Sequence, residues 1–197
     1  TAMASLPINS TIRIEPGFYW SFVGLWIVGV IINIVSMIAI ISEESEVVAG
    51  AGIFALIILI PMAILGGIML YRAWAIIQDG LARTTPGKAV GFCFIPFFNF
   101  YWIFVGFGGL AKDVNAFAKR YNLWKVHLLE DLFLLQCVLI LLNIVLQHIP
   151  IIGHIYGIAV GVLGLYLFRQ IVVAVNAISG QAASAGNPDN AGLQSTP

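Results

Sequence analysis

Charge is what this sequence has least of. Of 197 residues, nine are Lys or Arg and nine are Asp or Glu, 9% in all, against 60% hydrophobic. A soluble domain carries about 25% charged residues, and so thin a supply cannot coat a surface that faces water. The shortage excludes a water-soluble globule and leaves lipid as the main solvent. A net charge of zero supplies no basic field, which excludes nucleic acid as a partner on electrostatic grounds. Only two cysteines are present, Cys93 and Cys137. They stand in separate apolar runs without redox or metal spacing, so both read as packing residues. Nucleophile elbows, phosphate-binding loops, metalloprotease motifs and paired catalytic carboxylates are missing as well. The glycines of residues 106–110 lack the preceding strand and the lysine that a phosphate loop requires. A carboxylate or lysine deep in an apolar run, the usual mark of a pump or proton relay, is also wanting. These absences point away from an enzyme.

What is present is a set of long neutral runs, 16–42, 47–71, 89–111 and 132–168. A spanning helix needs about 20 apolar residues. Residues 18–41 form the first such helix, entered at Pro16-Gly17 with Tyr19 and Trp20 at interfacial depth. Residues 47–74 form the second, kinked at Pro61 and Gly66-Gly67. The run 132–168 as one helix would measure about 55 Å, too long for a hydrocarbon core of about 30 Å. It must fold back at Gln147-His148-Ile149-Pro150, giving helices over 128–147 and 151–177.

The run 88–110 has the length of a crossing, but its centre holds Pro96 and Asn99. Two topologies compete. If it crosses as a kinked fifth helix, Arg13, Arg72, Arg83 and Lys88 face one side, and Lys112, Lys119, Arg120, Lys125 and Arg169 the other. That split runs against the positive-inside rule. If it turns back at Pro96 and Asn99 as a re-entrant hairpin, all the basic residues share one face, opposite an outer loop with Glu43, Glu44 and Glu46. The charge distribution favours the hairpin, with both termini cytoplasmic. The expected fold is thus an all-α integral membrane protein: one helical domain over 1–178, with four transmembrane helices plus the central segment, and a flexible polar tail over 179–197.

Gly153, Gly157 and Gly161 form two consecutive G-x-x-x-G units, with Gly164 nearby, and such a stripe lets another helix approach closely. Asn33, Gln136, Asn143 and Gln147 are neutral polar groups in the same apolar surroundings, and 136, 143 and 147 share one helical face. They read as interhelical hydrogen-bonding groups. Glu130 and Asp131 suit a helix N-terminus, and Asp131 lies level with Arg169 as a candidate ion pair. Phe117, Tyr121, Trp124 and Leu128 recur at helical spacing among Lys112, Lys119, Arg120 and Lys125. That describes a basic amphipathic helix at the cytoplasmic headgroups, or an extension of the next helix packed beneath the bundle. His148 and His154 lack a supporting carboxylate, so no metal site is expected. The glycines beside His154 would admit a flat macrocycle, which keeps a haem or chlorophyll ligand at His154 or His148 as an alternative.

Residues 71–117 resemble a group of bacterial multi-pass membrane proteins of unassigned activity. The shared residues are Pro86, Gly87, Ala89, Val90 and Gly91, then Ile95, Pro96 and Asn99, then Asp113 and Asn115. The resemblance implies an integral protein of the bacterial cytoplasmic membrane and carries no reaction with it. In the motif itself, Pro96 prevents a regular interior and Asn99 offers an amide to backbone groups left open by the turn. The functional expectation is a small non-catalytic accessory or scaffolding subunit, with lipid and other membrane subunits as partners. A passive channel or transporter component built on 88–110 is the alternative.

Overall fold

The computed structural model describes residues 11–149 and 151–185. Seven α-helices run through them: α1 (Pro16–Ile41), α2 (Ser45–Ile76), α3 (Pro86–Gly91), α4 (Phe98–Ile103), α5 (Gly109–Arg120), α6 (Glu130–Leu146) and α7 (Ile152–Ala185). A 3-10 turn over Phe92–Phe94 follows α3, and a π turn over Phe104–Gly108 joins α4 to α5. No strand occurs among the described residues.

Helices α1, α2 and α7 are long and apolar enough to cross a membrane. In the most apolar stretch of α1 only 6% of residues are buried by the rest of the chain, and in that of α2 only 11%. Surfaces so apolar and so little covered require lipid around them. The chain is therefore a multi-pass, membrane-embedded helical protein. The fourth expected span, α6, has 17 residues, about 25 Å of helix and at the lower limit of the roughly 17–25 residues with which helices cross.

The described residues divide into two compact units. The first, here the apolar unit, comprises Glu15–Ile68 and Asp131–Arg169. The second, the polar unit, comprises the described residues 11–14, 69–130 and 170–185. Helices α2 and α7 each belong to the apolar unit for most of their apolar length and to the polar unit beyond it. Apart from the neutral run 89–111, the second unit is built from helix ends and connections that hydropathy does not join.

Turn chemistry sets the limits of the elements. α1 ends with Glu43 at positive φ (60°), Glu44 N–H returning to Ala39 O at 2.9 Å. α5 ends the same way on Asn122 (φ 55°), with Leu123 N–H on Ala118 O at 2.8 Å. Both are Schellman closures that satisfy the last carbonyls, and asparagine tolerates the left-handed conformation. The second closure corrects the expected amphipathic helix through Leu128. The helix stops at Arg120, Trp124 and Leu128 lie beyond it, and the apolar face of α5, with Leu110, Val114 and Phe117, is buried inside the chain. Pro86, which with Gly87 is expected to break the chain before residue 88, does not break it. It opens α3, with Thr85 as N-cap accepting from Lys88 N–H at 3.4 Å, because proline fits the first helical position.

α7 runs eight residues past the expected end at Ala177, to Ala185, with Ile178 and Ser179 fully buried. The small residues after Ser179 propagate a helix already nucleated. The remainder of the expected tail, residues 186–197, and Pro150 of the expected outer break lie outside the described residues.

In the polar unit two asparagines each grip one residue's main chain from both sides. Asn115 Oδ1 accepts Leu128 N–H and its Nδ2 donates to Leu128 O, both at 2.8 Å, and also to Glu130 Oε1 at 2.9 Å. Asn176 does the same to Ile14, at 2.9 and 2.8 Å. A carboxamide carries the donor and acceptor of a peptide group, so it pairs with a loop residue as a neighbouring strand would. Asn115→Ala and Asn176→Ala should each lower stability by about 1–3 kcal/mol, the usual cost of leaving such groups unpaired. Thermal unfolding in mild detergent reads this as a lowered midpoint. Asn99→Ala, which removes no such clamp, should leave the midpoint in place.

Candidate functional site

The most distinctive construction of the polar unit is the hairpin made by residues 88–110. Arg83, before it, and Asp113, after it, are held together: Arg83 Nη2 lies 2.7 Å from Asp113 Oδ1, and Arg83 N–H donates to Asp113 Oδ2 at 2.9 Å. Gly109 gives this clasp room, since a Cβ there would lie 2.9 Å from Arg83 Nη1. The arms close on an aromatic interior. Phe92 of the first arm meets Trp102 and Phe98 of the second edge-on, at centroid distances of 4.7 and 5.5 Å, and Phe98 stacks on Trp102. Trp102 Nε1 donates to Ala89 O at 3.1 Å, and Trp74 Nε1 donates to Gly106 O at 2.8 Å. Indole N–H groups thus satisfy carbonyls where the helical ladder is interrupted.

At the tip, Phe97 has φ 61° and ψ −43°, and Phe98 N–H returns to Pro96 O at 2.7 Å. This is the strained form of the three-residue turn. The remaining closure is also main chain, Asn99 N–H to Ile95 O at 3.0 Å and Phe100 N–H to Phe97 O at 3.2 Å. Pro96 is therefore placed at the turn as expected, but the side chain of Asn99 does not close it: adjacent main-chain groups already meet within the tight turn. The turn presents Phe97 at 84% exposure, with Phe94, Phe100 and Tyr101 also exposed.

The expected basic face is distributed rather than gathered on one helix. Lys112, Lys119, Arg120 and Lys125 are all exposed. Arg120 pairs with the deeply buried carboxylate of Asp79 at 2.7 Å, and Lys125 Nζ sits 4.8 Å from the ring centre of Trp124, itself 82% exposed. Asp131 and Arg169 form no ion pair. Arg83 pairs instead with Asp113, and Arg120 with Asp79.

In the apolar unit the glycine stripe of α7 is filled by the chain's own helices. A Cβ on Gly153 would lie 2.7 Å from Gln147 Cα, and one on Gly161 would collide with the Trp26 indole of α1. Gly157 faces Asn143 Oδ1 at an ordinary 3.6 Å, and Gly164 faces Gln136 Nε2 at 3.3 Å. Gln136 Nε2 donates to Val160 O at 3.2 Å, and Tyr156 Oη to Leu139 O at 3.1 Å. Gln136 therefore bonds across helices as expected, whereas Gln147 Nε2 donates back to Ile144 O on its own segment at 3.1 Å, and the Oδ1 atoms of Asn33 and Asn143 are buried without a hydrogen-bond partner. The face that would have admitted a flat macrocycle beside His154 is occupied by α1 and α6. His148 is exposed and His154 half-buried, and no cluster of three metal-ligating side chains occurs among the described residues.

Trp26, Trp74, Arg83 and Asn176 escape sequence reasoning. Asn176 alone carried a signal, as a polar residue in an apolar helix.

No protein-family model, curated protein or solved structure matches the chain.

The glycine geometry orders the stripe. Gly161→Ala should destabilise by about 1–3 kcal/mol through overpacking against Trp26. Gly157→Ala should be neutral or stabilising, because alanine favours the helix by about 1 kcal/mol. Unfolding midpoints of the two variants, with Gly161→Ala recovered by Trp26→Phe, check the assignment.

Proposed function

We propose that this chain is a small non-catalytic accessory or scaffolding subunit of the bacterial cytoplasmic membrane. In this reading α1, α2, α6 and α7 cross the bilayer, and residues 88–110 form a re-entrant hairpin whose aromatic tip enters it from the cytoplasmic side. The Arg83–Asp113 clasp supports the topology, because a segment whose two ends are tied at 2.7 Å cannot deliver them to opposite faces of a membrane. Charge supports the orientation: Arg13, Arg72, Arg83, Lys88, Lys112, Lys119, Arg120 and Lys125 all belong to the polar unit, and Arg169 ends the apolar one. That arrangement follows the positive-inside rule with both termini cytoplasmic. The exposed lysines and Trp124 suit contact with anionic headgroups.

One observation carries the functional reading. Asn115, Asn176, Trp74 and Trp102 of the polar unit are engaged in holding its main chain, while α1 and α2 keep long apolar faces uncovered. Such a protein offers surface to lipid and neighbouring subunits rather than a reaction centre. The packed interior of the hairpin argues against the alternative in which it lines a pore.

Native mass spectrometry of the protein released gently from its own membrane tests this. A discrete complex with at least one other membrane protein, at fixed stoichiometry, is the expected result. A single-chain protein that conducts ions in liposomes would overturn the reading.

A further inference from the structure

The tip of the hairpin joins an exposed apolar surface to a main chain whose polar groups are already matched. Residues 94–98 are all exposed, and Phe94, Ile95, Pro96, Phe97 and Phe98 carry no side-chain donor or acceptor. Phe97, at 84% exposure, holds φ 61° and ψ −43°, a conformation that glycine takes freely and a bulky residue does not. Its ring meets that of Phe100 edge-on, with 6.4 Å between centroids. With so little of the ring covered, packing within the chain does not account for a phenylalanine here. Beneath it, the carbonyls of Pro96, Ile95 and Phe97 accept the N–H groups of Phe98, Asn99 and Phe100 at 2.7, 3.0 and 3.2 Å. Lipid excludes irregular backbone because its polar groups would go unmatched, and these six are matched.

Resting on the re-entrant topology above, we propose that Phe97 is a lipid anchor: its strained turn holds the ring among the acyl chains of the cytoplasmic leaflet, short of the bilayer midplane. The first arm, 6 residues of α-helix and 3 of 3-10 turn, reaches at most about 15 Å, half of a hydrocarbon core of about 30 Å. Residues 89–111 hold no charge, and exposed Lys88 and Lys112 stand just outside them, where their long stems reach the headgroups. Acyl chains suit this tip better than a protein surface does. A protein interface carries about one hydrogen bond per 100–200 Å², and residues 94–98 have no side chain with which to make one. Acyl chains ask only for apolar area.

Electron paramagnetic resonance of the whole protein in vesicles of phosphatidylethanolamine and phosphatidylglycerol tests the anchor. A nitroxide on Phe97→Cys, with Cys93 and Cys137 replaced, reports collisions with oxygen, which concentrates among acyl chains, and with a nickel chelate confined to water. Oxygen collisions several-fold above nickel collisions are expected at Phe97, with the reverse at Ala82→Cys. Nickel access at Phe97 equal to that at Ala82 would overturn the proposal. So would a label that neither reagent reaches, the result if a second copy or another subunit covers the tip. A label at Phe94→Cys gives the same reading with Phe97 intact. Adding Phe97→Gly, which relaxes the turn, should shift that reading several-fold toward nickel, and no shift would show that Phe97 does not anchor the tip. Sidedness of labelling at Ala82 and Lys112 reads the topology separately. Ends on opposite faces of the membrane overturn the re-entrant reading, whereas ends on one face with Phe97 in water or covered overturn the anchor alone.

Discussion

The clasp between Arg83 and Asp113 is the contact on which the rest of the polar unit depends. Residues 89–111 contain no charge, and a neutral run of that length in lipid would ordinarily go straight across. The clasp ties the two ends together with an ion pair and a main-chain hydrogen bond. The run between them must then reverse, and everything else in it serves that reversal. Pro96 interrupts the helix, Phe97 accepts a strained conformation, and Phe92, Phe98 and Trp102 fill the space between the arms. Arg83 is too exposed for the ion pair itself to contribute much to stability. Its effect is geometric, since it decides where the chain leaves the segment.

A second constraint acts throughout: main-chain groups away from water must find partners within the protein. Helices α1, α2, α6 and α7 meet it internally. The irregular parts meet it with side chains, and the same few residue types recur. Asn115 and Asn176 each grip a peptide unit, while Trp74 and Trp102 donate indole N–H groups to Gly106 and Ala89. These residues, which in another protein would invite a search for chemistry, act here as replacements for missing main-chain bonds.

The spanning helices were legible in the sequence because a continuous apolar run is a signal that no tertiary contact overrides. So was the interruption at Pro96, and so was the glycine stripe, whose partners proved to be α6 and Trp26 of the same chain. The polar unit was not legible. Its core is assembled from Ile14, Trp74, Phe117 and Ile178, residues far apart in sequence, and its ties are single polar residues whose partners lie up to 162 positions away, as for Asn176 and Ile14. Helical periodicity also misled at residues 117–128. The apolar spacing continued beyond Arg120, but Asn122 in the left-handed conformation ended the helix there.

Membrane sidedness of the two ends of the hairpin tests the account most directly. Single cysteines placed at Ala82 and Lys112, in a background with Cys93 and Cys137 replaced, are labelled with a membrane-impermeant maleimide in intact cells and in inverted vesicles. Both positions should react only in inverted vesicles. Labelling of one position in intact cells and the other in inverted vesicles would show that the segment crosses, and would contradict the clasp as the element that sets the topology.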